Sequence, residues 1–162
     1  MKNILVMRHA KSSWKDHNIP DHDRPLKNRG EKDAERMGKL LKQKKLVPDL
    51  VLSSTAQRAK QTAKIVHDVC KCKKEIIYIK ELYMAEPSNI MHAIIKNADE
   101  EKTVMVVGHN PGMEALVQIL TAQVETLPTA SIAFLTAKVK KWKDLADEKE
   151  VKLKKLWRPK DL

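Results

Sequence analysis

The stretch Ile4-Leu5-Val6-Met7-Arg8-His9-Ala10-Lys11 decides the fold, and Val104-Met105-Val106-Val107-Gly108-His109 repeats its logic near the other end of the chain. Each is a four-residue apolar run that breaks abruptly into polar residues. Such runs are too short for buried helices and read as strands covered on both faces of a parallel sheet. Ligands of open α/β sheets bind just beyond the carboxyl ends of the strands. Arg8, His9 and His109 are therefore delivered to one edge, where an active site is expected. Arginine grips phosphate oxygens in a fork, and an unprotonated imidazole attacks phosphorus or moves protons.

Between and beyond these runs, strands and helices alternate. Strands are expected at 3–8, 50–52, 75–79, 103–108, 131–138 and, at an edge, 151–157. Asn28 is positioned to cap a helix over 29–45, with Met37, Leu40 and Leu41 on one face. Ser53-Ser54-Thr55 opens a helix to about residue 70, in which Ala59, Ala63, Val66 and Cys70 recur at helical spacing. Pro87-Ser88 starts another, ending near 97, with Ser88 as its cap, and Pro111-Gly112 starts a fourth, ending near 122. A charged turn is expected at 144–150. This order predicts a three-layer α/β/α sandwich with a mostly parallel central sheet. The 162 residues are read as a single domain, 1–162, with no repeat or internal boundary.

Composition narrows the classes of function. No apolar run approaches the ~18 residues of a membrane span, and no signal-peptide pattern precedes the first strand, so a cytoplasmic protein is expected. Cys70 and Cys72 are the only cysteines. One residue apart, they cannot easily bridge, and they read as reduced thiols. The net charge of +11 suits an anionic partner, but the lysines are scattered and aromatic residues number only six. That pattern describes a solvated, lysine-rich surface better than a nucleic-acid platform. His17 and His22, among Asp16, Asp21 and Asp23, lack the regular spacing of metal ligands, and no metal is expected.

Three segments converge on the sheet edge. They are Arg8-His9-Ala10-Lys11, Ser53-Ser54-Thr55-Ala56-Gln57-Arg58, and Gly108-His109-Asn110-Pro111-Gly112. The second and third run into helix N-termini, whose free N–H groups favour an anion. Lys11, Ser12, Ser13 and Asn110 are candidates for the pocket rim, and Trp14 for its entrance. Arg24 either binds phosphate or pairs with a loop acid such as Asp23.

The Arg-His pair, the Ser-Ser-x-x-x-Arg-x-x-x-Thr-Ala segment and the Gly-His pair, in this order, resemble the histidine phosphatase superfamily, which has a phosphoglycerate mutase-like fold. Arg24-Pro25-Leu26 followed by Gly30, then Pro48-Asp49 and Leu127-Pro128-Thr129, is similar to its SixA-type phosphohistidine phosphatase branch, in which Ala10 is familiar in place of glycine. The resemblance implies a phosphatase without cofactor or metal, working through a covalent phospho-His9 intermediate. It implies that Arg8, His9, Arg58 and His109 bind the phosphoryl group, with phosphate or sulfate as site ligands. By its position after the third strand it implies Glu81, or failing that Glu86, as leaving-group acid. The implied substrate is a phosphorylated protein, such as a histidine-containing phosphotransfer protein. The other readings are a small phosphoester and, in a different class, a non-catalytic phosphate-sensing or nucleic-acid-binding module.

Overall fold

The computed structural model describes residues 1–147 and 150–162. Six strands form one mixed sheet: β1 (Lys2–Arg8), β2 (Leu50–Ser54), β3 (Ile77–Ile79), β4 (Thr103–Gly108), β5 (Ile132–Ala137) and β6 (Val151–Trp157). Their spatial order is β3-β2-β4-β1-β5-β6. The first four are mutually parallel, while β5 pairs antiparallel with β1 and β6 antiparallel with β5. Four helices complete the fold: α1 (Asn28–Gln43), α2 (Gln57–Cys70), α3 (Pro87–Asn97) and α4 (Gly112–Thr121).

Alternation along the central strands divides the core into two layers. Ile4 and Val6 of β1 point into a cluster with Ile90 and Ile94 of α3, Leu116 and Val117 of α4, and Trp142. Leu5 and Met7 point the other way, into Met37 and Leu41 of α1 and Ala59, Ala63 and Val66 of α2. The expected α/β/α sandwich is therefore observed, with α1 and α2 on one face and α3 and α4 on the other. Ile4 through Met7 are fully buried, as are Val104 through Val107. Sheets covered on both faces require such uninterrupted apolar strands.

Local boundaries differ from the sequence expectations where side-chain capping was assumed. Lys27 and Glu86, rather than Asn28 and Ser88, occupy the positions before α1 and α3, and neither makes a side-chain capping bond. Pro87 is the first residue of α3, where its missing N–H costs nothing. Ser53 and Ser54 belong to β2 and α2 begins only at Gln57, because parallel pairing of β2 with β3 runs through Ser54. In the charged stretch at 144–150, Asp144–Asp147 lie in a 3-10 helix (Trp142–Asp147), and residues 148 and 149 are outside the described residues. Trp142 is buried in the core, donating its indole N–H to the Glu101 carbonyl at 2.7 Å, whereas Trp157 stacks on Phe134 across β5 and β6.

Candidate active site

The register of the two central strands sets the site. β1 and β4 pair in parallel so that Arg8 lies opposite Gly108, and the next residue of each is a histidine. The His9 and His109 rings consequently sit side by side, with centroids 5.1 Å apart. The backbone there is clamped from both sides. His9 N–H donates to the Gly108 carbonyl at 3.0 Å, and Ala130 N–H donates to the carbonyls of Arg8 and His9. Thr62 ties this turn to α2, accepting from Ala10 N–H through its hydroxyl oxygen and donating to the Arg58 carbonyl.

Hydrogen bonding settles the His9 tautomer. Nδ1 lies 2.7 Å from the Ala10 carbonyl, which can only accept, so Nδ1 carries the proton and Nε2 keeps a free lone pair. Burial, followed by the positive charges of Arg58, Arg8 and Arg24, lowers the His9 pKa to about 4, although the Ala10 bond opposes the shift. The His109 pKa falls to about 3, chiefly through burial and then through His9 and Arg58. Both rings are neutral near pH 7.

His109 Nε2 is 2.9 Å from Ser54 Oγ, which also accepts from Ala56 N–H at 3.1 Å. The Ser54 hydroxyl hydrogen is satisfied by donating to Nε2, and this places the His109 proton on Nδ1. That Nδ1 is buried with no partner among the described residues, and so are Nε of Arg8 and Nε of Arg58. Buried donors without partners are costly and uncommon in a folded core. Here all three belong to side chains lining one cavity of about 310 Å³, together with His9. An oxyanion is the ligand that would satisfy them.

Lys11, Ser12, Trp14, Arg24 and Asn110 line the same cavity. Arg24 donates to Ser12 Oγ at 2.9 Å, stacks on the exposed Trp14 ring at 3.5 Å from its centroid, and pairs with Asp21. Of the two readings the sequence left open, the pairing with a loop acid is present, with Asp21 rather than Asp23 as that acid, and the side chain also lines the cavity. Asn110 donates to the Leu127 carbonyl, which also accepts from Arg8.

Two expected acids are not brought to the cavity. Glu81 is exposed and lines a separate groove with Asn89, His92 and Lys96, and Glu86 is exposed at the start of α3. Tyr83, edge-on to His109 at 5.4 Å, and Met84 are what this segment offers the site instead. Ser13 is not among the lining residues; its carbonyl accepts from Arg24 and its hydroxyl from Lys15 N–H.

Asp21, Met84 and Thr129 line the cavity without having been singled out for it. Asp21 is the one carboxylate among the described lining residues. Its pairing with Arg58 spans 37 residues, and no local pattern encodes such a contact. His22 is likewise more than a solvated loop residue, since its Nε2 bonds Thr55 Oγ1 and its ring meets Tyr83 edge-on. No group of three potential metal-ligating side chains occurs among the described residues.

Comparison with known proteins agrees with this architecture. Residues 4–83 match the model of the histidine phosphatase superfamily (branch 1). A chloroplast protein of Arabidopsis thaliana is 30% identical over 152 residues, covering 88% of this chain and 70% of its own. SixA from Agrobacterium tumefaciens superposes with a TM-score of 0.81 at 30% identity, covering 98% of both chains. A protein histidine phosphatase SixA complexed with tungstate has the same fold, with a TM-score of 0.83 at 22% identity and 98% coverage of both chains. On the combined evidence of motif order, sheet register and these relatives, the chain belongs to the histidine phosphatase superfamily.

Proposed function

We propose that this protein is a cytoplasmic phosphatase that removes the phosphoryl group from phosphohistidine on a protein, through a phospho-His9 intermediate and without a metal. The observation that carries the reading is the convergence of three unpartnered donors, on Arg8, Arg58 and His109, in the cavity that also holds the proton-free Nε2 of His9. Nε2 attacks phosphorus as the bond to the leaving nitrogen breaks, and the departing imidazole takes a proton from water. The three donors hold the non-bridging oxygens as charge develops on them. Water then attacks phospho-His9, releasing phosphate and restoring the ring. Two guanidinium groups supply the positive charge that a metal supplies elsewhere.

The acids at the site favour phosphohistidine over a phosphoester. Asp21, the lining carboxylate, has its pKa lowered to about 2 by the Tyr83 hydrogen bond and by Arg58 and Arg24, so it holds no proton to give at pH 7. An alkoxide leaves poorly without an acid, whereas a P–N bond is labile and needs less help. The tungstate bound by the SixA neighbour supports an oxyanion ligand in the equivalent fold.

Turnover of a phosphohistidine protein, a phosphoaspartate protein and alkyl phosphoesters, with and without EDTA, tests the reading. The phosphohistidine protein should be the best substrate by about 10²-fold or more in kcat/KM, the scale of a general acid's contribution, with no effect of EDTA. His9→Ala should fold and lose turnover, and an acid-labile, alkali-stable phosphoenzyme should be trapped on His9 in the unaltered protein. Preference for the phosphoesters, loss of activity in EDTA, or turnover by folded His9→Ala would each overturn it.

A further inference from the structure

Asp21 is bonded to the site more heavily than a loop residue needs to be. One carboxylate oxygen, Oδ2, accepts from Arg58 Nη2 at 3.0 Å and from the Tyr83 hydroxyl at 2.5 Å. The other, Oδ1, accepts from Arg24 Nε at 3.1 Å and faces Arg24 Nη2 at 3.1 Å. The Asp21 backbone carbonyl accepts from Arg58 Nη1 at 2.7 Å. Each terminal nitrogen of Arg58 therefore gives one N–H to this single residue and keeps a second, while its buried Nε has no partner among the described residues. Because a guanidinium is planar and rigid, fixing its two outer nitrogens also fixes the direction of its remaining N–H groups.

The charge balance is equally specific. Arg8, Arg24 and Arg58 bring three permanent positive charges to the cavity, and Asp21 is the lone lining carboxylate among the described residues. Left uncompensated, such a cluster would bind a phosphate dianion tightly and release it slowly. Binding that stabilises reactant, product and transition state alike does nothing for turnover.

Building on the phosphatase reading, we infer that Asp21 is a positioning residue and counter-charge, fixing the Arg58 guanidinium so that its remaining N–H groups meet the phosphoryl group while weakening the hold of the site on product phosphate. Tyr83 holds the carboxylate in the orientation that faces both arginines. The carboxylate stays ionised over the whole working range of pH, so the device is permanent rather than a switch.

Calorimetric binding of inorganic phosphate at pH 7 and low salt tests the inference without turnover. Asp21→Asn keeps the shape and the acceptor oxygen but removes the charge. Its phosphate affinity should rise by about tenfold, a change in scale with one partly screened charge near the ligand. Its kcat and KM should fall together as product release slows. Asp21→Ser, which removes the charge and the side-chain grip on Arg58 together, should also tighten phosphate binding, but less than Asp21→Asn and with a larger loss of kcat, so the outcome does not hang on one variant folding. Tyr83→Phe keeps the carboxylate and should bind phosphate within about twofold of the unaltered protein, since the charge is retained. Unaltered or weaker phosphate binding by the folded Asp21 variants, with normal binding by the parent, would overturn this inference alone. Failure of the parent protein to bind phosphate would overturn the phosphatase reading and this inference with it.

Discussion

Proton placement governs the chemistry at the scale of single residues. In the proposed mechanism His9 attacks only when Nε2 is unprotonated, and its pKa of about 4 lies well below the ordinary 6.5. The acid limb of kcat/KM should therefore lie near pH 4 rather than near 6.5. Arg58→Ala, which removes one of the charges depressing that pKa, should move the limb upward as well as lowering the rate. A pH–rate profile of both proteins checks this. The same shifts bear on stability. Unfolded histidine takes up a proton near pH 6.5, whereas His9 and His109 resist protonation down to about 4 and about 3 in the folded protein. The unfolded chain then binds more protons, so stability should fall as the pH drops from about 6.5 towards 4. Denaturant titrations at several pH values should show this slope, and His109→Gln should flatten it. Glu81, exposed in its separate groove, should matter little: Glu81→Gln is expected to change kcat/KM on a phosphohistidine protein by less than about twofold, well short of the effect of losing a general acid. A tenfold loss would restore it as the leaving-group acid.

Elements meet the site through close approaches that a composition count does not reveal. Gly30, in the first turn of α1, lies against the loop that carries Lys11 and Ser12. A Cβ added there would stand 2.2 Å from the Lys11 carbonyl oxygen, a backbone atom that cannot swing aside. Gly30→Ala should push α1 off that loop and destabilise the fold by about 1–3 kcal/mol, the usual scale for overpacking. Because Ser12 orients Arg24, KM should rise as well. Thermal denaturation alongside kinetics tests the pair of effects, and unchanged Tm with unchanged KM would show that the loop relaxes freely.

Charge acts across the molecule as a whole. The +11 balance makes the surface a long-range attractor for anionic partners. If the substrate is an acidic phosphoprotein, kcat/KM should fall by about threefold or more between 20 and 200 mM salt, as screening shortens the reach of surface charge. A small phosphoramidate, which senses mainly the buried site, should be affected less. Equal salt dependence for both would place the effect in the pocket rather than on the surface.

Much of this protein could be read from its residues in order. The runs Ile4–Met7 and Val104–Val107 determine buried parallel strands, because a sheet covered on both faces allows no polar residue there. Their shared ending in a histidine points to the candidate site, because the carboxyl edge of parallel strands is where loops and helix N-termini meet. Motif order then points to the superfamily. Helix starts were less legible, since pairing of Ser54 with β3 outweighed the capping propensity of serine. Tertiary structure alone decided which acid reaches the pocket. Glu81 stood at the expected sequence position and faces a different groove, while Asp21 came from a loop 37 residues before Arg58 to grip it. The reason is physical. Strand and helix formation follow from hydrophobic period and local propensity, which the chain carries at short range. The partner of a buried charge is set by which distant segments the packed core brings together, and no short window of sequence contains that information.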